Sequence, residues 1–205
     1  MMNEMFGLVQ LVRVKPNSLE FLQEEYEKYL KGLKPLDFIL VVFEDKNAFH
    51  DINLKLNTGF DLSNKELVEL HSRTKVETGV KWLAPYGYVM HIVPRSGISY
   101  KTPIKLLNAP ATIEAEYRGD ISLLLGVDKD YLDEFESYKD IIKWMNSISI
   151  PSRTRLAQAI IQKTPLTNIQ IRYFYYMIDD YVYEDFANLF PSERSDKGFG
   201  STGTK

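Results

Sequence analysis

Residues 94–119 read PRSGISYKTPIKLLNAPATIEAEYRG, and the reading of this stretch decides the fold. It opens on an Arg95-Ser96-Gly97 turn, which offers a planar fork of donors, a hydroxyl and a residue that lets backbone approach an anion closely. Asn108-Ala109-Pro110 has the composition of a hairpin turn. From Ala111 to Gly119 acidic residues alternate with apolar ones, and a period of two puts Glu114 and Glu116 on the same face of a strand. A carboxylate held beside a bound ester or anhydride can act as a general base towards water. Taken singly, the same residues also describe a surface turn and a solvated strand face with Arg118 as counter-charge.

The flanking sequence is written in short strands. Val76–Leu83, Tyr88–Val93, Ile121–Leu125, Leu156–Ile161 and Ile169–Ile178 are strand candidates, separated by turns at Pro85-Tyr86-Gly87, Pro94 and Thr164-Pro165. Ile52–Leu56 adds another, leading into Asn57-Thr58-Gly59. Many short strands at near-regular spacing predict an all-β barrel or sandwich. Upstream, Phe6–Val14 and Phe38–Phe43 read as strands around a helix over residues 17–33. Asn17 and Glu20 fit a capping box, and Leu19, Leu22, Tyr26, Tyr29, Leu30 and Leu33 make its apolar face. A second amphipathic helix is expected over residues 128–146, from Tyr131, Leu132, Phe135, Tyr138, Ile141, Ile142 and Met145. Both helices read as insertions in a β scaffold.

Composition narrows the function classes. The chain has 205 residues, enough for one full core, and a net charge of −3, which argues against a general nucleic-acid binder. A polyanionic ligand would need local cations or a metal. There is no cysteine, which removes disulfides and thiolate zinc sites. No segment approaches the roughly 18 consecutive apolar residues of a membrane span. A cytoplasmic location is expected, or the host cytoplasm or nucleus for a viral protein. His50, His71 and His91 lack metal-binding spacing. The tail Gly198-Phe199-Gly200-Ser201-Thr202-Gly203 resembles a phosphate-cradling loop without a following helix.

The order of these motifs, over about 145 residues, resembles the trimeric, all-β deoxyuridine triphosphate nucleotidohydrolases (dUTPases). Thr58-Gly59-Phe60-Asp61-Leu62 is similar to that family's first motif. Pro94-Arg95-Ser96-Gly97, with Lys101 following, is similar to the second, and Leu107 through Gly119 to the third. Arg155-Leu156-Ala157-Gln158 is similar to the fourth, and Arg194 through Gly203 to the fifth.

This resemblance implies a dUTPase-like β-barrel or jelly-roll over residues 1–191, with a flexible arm over residues 192–205 that closes the active site. It implies a homotrimer with shared active sites, dUTP as substrate, and Mg²⁺ reached by Asp61 through metal-bound waters. Glu114 would be the water-activating base, at a position where the family has Asp. Asn108 would meet uracil and Tyr117 the deoxyribose. Arg95, Ser96, Gly97 and Gln158 would handle the phosphate chain. In the arm, Phe199 would stack on uracil, while Arg194, Gly200, Ser201 and Thr202 would hold the terminal phosphates. Ala111 stands where Gly is common, which matters if that position needs positive φ.

A regulatory protein on the same scaffold, with a protein partner at the helical insertions, is the second reading. A dCTP deaminase, which shares the fold, is the third. It would need an acid in the strand after the third motif, and Ile121-Ser122-Leu123-Leu124-Leu125 has none.

Overall fold

The computed structural model describes residues 10–11, 16–44, 59–128, 148–164, 172–177 and 183–198. In chain order the first elements are β1 (Gln10–Leu11), α1 (Pro16–Leu30), β2 (Phe38–Phe43), β3 (Phe60–Ser63) and β4 (Val68–Glu69). Then come β5 (Thr74–Glu77), β6 (Val80–Leu83), β7 (Tyr88–Pro94), α2 (Ser96–Lys101), β8 (Ile104–Leu106) and β9 (Ala111–Glu114). The last are β10 (Ser122–Val127), β11 (Ser149–Ile150), β12 (Arg155–Lys163), β13 (Arg172–Met177) and α3 (Phe186–Leu189). Among the described residues strand is the prevailing regular element, with few short helices, as expected. Their strands form four sheets, ordered β1-β13-β2-β6, β5-β10-β8, β11-β4 and β3-β12-β7-β9.

Strand β2 explains how these sheets share an interior. All six residues of FILVVF are buried. Alternation sends Ile39, Val41 and Phe43 to one side, into the main core with Trp82, Met90, Ile92, Leu123 and Leu156. Phe38, Leu40 and Val42 point the other way, into a second core with Leu22, Tyr26, Leu36, Leu83, Tyr183, Phe186 and Phe190. A strand buried on both faces must be apolar throughout, which is why it reads as a continuous run.

The first helix is therefore more than an insertion. β1 and β2 both run parallel to β13, which lies between them, and α1 connects the two. The helix begins at Pro16, one residue before the expected start, because a first-turn proline gives up an N–H that has no helical partner anyway. Leu22 and Tyr26 are buried as its periodicity requires, whereas Leu30 and Leu33 lie beyond the edge of the second core and are 51% and 72% exposed. The segment Val76–Leu83 is two strands instead of one, in different sheets and divided at Thr78-Gly79, where Gly79 has φ 70°. The expected strand Ile52–Leu56 and all but Asp128 of the expected helix over residues 128–146 lie outside the described residues. No helix among the described residues is long and apolar enough to cross a membrane.

Candidate active site

Register in the β3-β12-β7-β9 sheet assembles one group of the expected residues. Asp61 on β3 is opposite Gln158 on β12, and Gln158 is opposite Val93 on β7, so the first, fourth and second motifs meet at one end of the sheet. Arg95 is extended backbone (φ −86°, ψ 130°) and caps α2 in place of the expected turn. Its Nε meets Asp61 Oδ1 at 2.9 Å, and Arg155 Nη1 meets Asp61 Oδ2 at 3.3 Å. Arg95 Nη1 also donates to the Arg155 carbonyl at 2.9 Å. Ser96 and Gly97 are exposed beside this cluster. The chemistry is a carboxylate with two guanidinium groups, positioned to accept an anion at their outer edge.

The third motif builds a second group. β9 carries Ala111–Glu114 and pairs antiparallel with β7, Ala111 opposite Ile92 and Glu114 opposite Val89. Ala111 has no strained backbone. The positive-φ residues other than glycine among the described residues are Arg153 and Ser195. A cavity of about 190 Å³ is lined by Asn108, Ala111, Thr112, Ile113, Tyr117, Ser122, Arg194 and Gly198. Tyr117 is buried, its hydroxyl donates to the Asp120 carbonyl at 2.9 Å, and burial pushes its pKa up to about 12.

The two acidic side chains of the third motif do not share a strand face, because β9 ends at Glu114. Glu116 accepts a hydrogen bond from Tyr86 Oη at 2.5 Å, a contact that raises the tyrosine pKa to about 12. Glu114 is 57% exposed and ion-paired with Arg194. It lines an open cleft of about 600 Å³ with Tyr86, Tyr88, Glu116, Glu193, Arg194 and Lys197. Both carboxylates border this cleft, and Glu114 is the more exposed of the two.

Arg118 is not a solvated counter-charge. It is 2% exposed and donates from Nε to the Phe190 carbonyl at 2.9 Å and from Nη1 to the Ala115 carbonyl at 2.5 Å. Its Nη2 donates to Tyr26 Oη at 3.2 Å, and Tyr26 Oη donates to the Pro191 carbonyl at 2.6 Å. Partly buried Asp120 accepts from the backbone N–H groups of Thr78 (3.0 Å) and Gly79 (2.9 Å) and from Tyr183 Oη (2.5 Å). Burial, the leading cause, raises its pKa above the carboxylate norm. The polar roles of Tyr26, Tyr86, Tyr183 and Asp120 escaped the sequence reading, since nothing local marks a side chain whose hydrogen-bond partner is distant in sequence.

The residues 192–198 lie on the third motif. Ser192 Oγ donates to the Glu116 carbonyl at 2.5 Å, and the Arg118 N–H donates to the Ser195 carbonyl at 2.7 Å. A Cβ on Gly119 would come within 2.5 Å of Tyr117 Oη and 3.1 Å of the Asp196 carbonyl, so only glycine admits this approach. Thr58, Phe199, Gly200, Ser201 and Thr202 lie outside the described residues.

Within one chain Glu114 is far from the phosphate-side cluster, although Ala111, opposite Ile92, is near it: from Val89, opposite Glu114, to Arg95 is six residues along β7, or about 20 Å at the strand rise. An extended triphosphate is shorter than that.

No protein-family model matches the chain. The deoxyuridine 5′-triphosphate nucleotidohydrolase of Nautilia profundicola is 31% identical over 147 residues, covering 71% of this chain and 83% of that protein. That of Streptomyces avermitilis is 30% identical over 150 residues, covering 72% and 69%. Among solved structures, a mutant dUTPase of phage phi11 of S. aureus superposes with a TM-score of 0.51 at 20% identity, over 65% of this chain and 95% of its own, a likeness of fold. With the first four motifs brought to two built sites and the start of the fifth lying against one of them, and with relatives matched over most of their length, the chain belongs to the deoxyuridine 5′-triphosphate nucleotidohydrolase (dUTPase) family.

Proposed function

We propose that the chain hydrolyses dUTP to dUMP and pyrophosphate, at sites shared between neighbouring copies of a homotrimer. The observation that carries this reading is the 190 Å³ cavity. Its walls are Asn108, Ala111, Ile113 and Tyr117 of the third motif, and Arg194 and Gly198 face them from the start of the fifth. Uracil occupies it, with Asn108 and the hairpin backbone at its polar edge and Tyr117 under the deoxyribose. The α-phosphate then lies towards Glu114. Glu114 takes a proton from water as that water attacks the α-phosphorus; the bond from the α-phosphorus to the bridging oxygen breaks and pyrophosphate leaves. Glu114 is the more exposed of the two carboxylates, and its partner Arg194 also lines the uracil pocket, which favours it for this role.

Arg95, Ser96, Gly97 and Gln158 grip the phosphate chain. The separation of about 20 Å along β7 between Glu114 and Arg95 supports a second copy supplying them to this Glu114. A Cβ added at Gly97 would meet nothing within 4 Å, so the chain's own packing does not demand a glycine there. A ligand that approaches the backbone does. Arg194, and Phe199, Gly200, Ser201 and Thr202 after it, complete the enclosure, and excluding water in this way is a gating step.

Mg²⁺ fits the donor set on one condition. No three or more His, Asp or Glu among the described residues are grouped to hold a metal. An ion carried by phosphates and waters, touching the protein through a single carboxylate, needs no such group. Asp61 is that carboxylate, reaching the ion through its waters. When bound, the ion neutralises the triphosphate and orients its oxygens. The phage phi11 enzyme has been described with a structural Mg(II) ion.

The test is a panel of dUTP, dCTP, dTTP and UTP with Mg²⁺, read by pyrophosphate release beside a mass measurement of the oligomer. We expect dUTP alone to be turned over, by a trimer. Ammonia release from dCTP, or no pyrophosphate from dUTP, refutes the proposal.

A further inference from the structure

We infer that Asn64 is the positioning residue for Arg155: it locks the turn before β12 and so fixes a β-bulge that carries Arg155 to the face of Asp61 and Gln158. This rests on the proposed reading of that end of the sheet as the phosphate grip.

Spacing poses the problem. Arg155 and Gln158 lie three positions apart, and on a regular strand an odd separation puts two side chains on opposite faces. Gln158 is opposite Asp61 and shares its face, while Ala157 and Ala159 face the main core. A regular β12 would therefore turn Arg155 towards that core as well. Instead Arg155 is exposed, and its Nη1 reaches Asp61 Oδ2 at 3.3 Å.

The pairing resolves it. Arg155 is opposite Ser63 and Ala157 is opposite Leu62, so two steps on β12 are matched by one on β3, and Leu156 is the extra residue. Burial records the same break in period, because the consecutive residues Leu156 and Ala157 both lie in the main core. Strand β7 pairs with β12 only from Ala157 onward. The ladder on that side does not reach the bulge, and so it does not place Arg155.

Asn64 does. It follows β3 directly, it is 0% exposed, and its polar atoms grip the segment that leads into β12. Its Nδ2 donates to the carbonyls of Pro151 (2.8 Å) and Ile150 (3.3 Å), and to that of Glu66 (2.6 Å). Its Oδ1 accepts from the Thr154 N–H at 2.8 Å. Its backbone N–H donates to the Thr154 carbonyl at 3.3 Å, and its carbonyl accepts from the Arg153 N–H at 2.9 Å. No other side chain of this size offers two donors and an acceptor together. The turn held in this way is strained: Arg153 has φ 63°, a left-handed conformation that a non-glycine residue keeps only where its surroundings impose it. The bonds from Asn64 fall on Arg153 and Thr154, the two residues before Arg155, and the shape of that turn sets where the bulge begins.

Asn64→Ala, Arg155→Ala and the double variant are compared in the full-length chain by KM and kcat for dUTP and by Tm. We expect KM to rise roughly tenfold in each single variant with kcat changing less, the sign of lost binding. The double variant should have the KM of Arg155→Ala alone, because Asn64 acts through that residue. KM effects that multiply, or a lowered Tm with KM unchanged, would make Asn64 merely structural and overturn the proposal. If Asn64→Ala does not fold, Asn64→Ser, which keeps one donor, carries the same comparison. A crystal structure of the folded variant gives a readout independent of turnover. Arg155 drawn away from Asp61 supports the proposal, and an unchanged bulge with the pair intact overturns it. If Arg155→Ala leaves KM unmoved, the grip reading fails, and this structural readout still decides the role of Asn64.

Discussion

The proposed phosphate grip and the arm root are built by different physics. The end of the sheet that carries the grip, at Asp61, Arg95, Arg155 and Gln158, is a product of sheet register: three adjacent strands, hydrogen-bonded in a ladder, bring the side chains together. The arm root is held by side chains that reach carbonyls far away in sequence. The bond from Tyr26 to Pro191 spans 165 positions, and that from Arg118 to Phe190 spans 72. Ladder-built sites tolerate change in a single side chain, because the backbone keeps its place. A site built from side-chain-to-carbonyl bonds fails as a unit, because each deleted donor leaves a buried acceptor unsatisfied.

The largest effect is expected at the proposed chemistry that both regions would serve. Glu114→Gln keeps size and removes the proposed base. We expect kcat to fall by about 10²–10⁴, the usual worth of a general base, with dUTP binding retained. Glu116→Gln should fall by less than tenfold, on the order of the ~1 kcal/mol of one hydrogen bond, since that residue is engaged by Tyr86. Equal losses in the two variants, measured by pyrophosphate release and by calorimetric titration, would refute the assignment of roles.

Arg118→Met comes next. It removes donors from the carbonyls of Ala115 and Phe190 and from Tyr26 while roughly keeping volume. We expect a loss of about 3 kcal/mol in unfolding free energy by urea titration, from charged-group hydrogen bonds lost in a buried place. At the grip, Arg155→Ala should cost less than ~1 kcal/mol in stability, because its pair with Asp61 is half-exposed, while raising KM. If Arg155→Ala proves the more destabilising of the two, the contrast between the regions is wrong.

The same contrast explains what could be read from the sequence. The strands, and which motif residues come together at the end of the sheet and around the cavity, were legible because motif and period fix them locally. Val76–Leu83 was misread as one strand because Thr78-Gly79 interrupts an otherwise continuous pattern; the positive φ at Gly79 leaves no trace in hydropathy. Arg118 was misread as solvated because its partners are carbonyls, which every residue has. The second core was missed for a related reason. Leu22 and Tyr26 are periodic, but nothing in α1 names Tyr183, Phe186 and Phe190 as its partners. Helix α3 has only four residues, too short to leave a periodicity.

The smallest expected effect concerns pH, and it sharpens the arm-root side alone. Tyr117 has its pKa pushed from about 10 to about 12, chiefly by burial. A raised pKa means that the folded state favours the protonated phenol. Its contribution to stability is fully present below pH 10, where the unfolded chain's tyrosine also stays protonated, and is lost as pH climbs through 12. The ionised phenolate could no longer donate to the Asp120 carbonyl, and it would stand beside Asp120 and Asp196, which raise its pKa further. Tyr86 titrates over the same interval, because its bond to Glu116 and then its partial burial hold the proton, although its side chain is largely exposed. We expect Tyr117→Phe to cost about 1 kcal/mol at neutral pH, the worth of one hydrogen bond. Between pH 10 and 12, however, the variant should lose stability less steeply than the wild type, so that the two curves converge. Melting curves at closely spaced pH values measure this directly. Parallel curves across that window would show that Tyr117 does not report on the arm root, and would return the alkaline transition to Tyr86 and to Tyr183, whose pKa burial also raises.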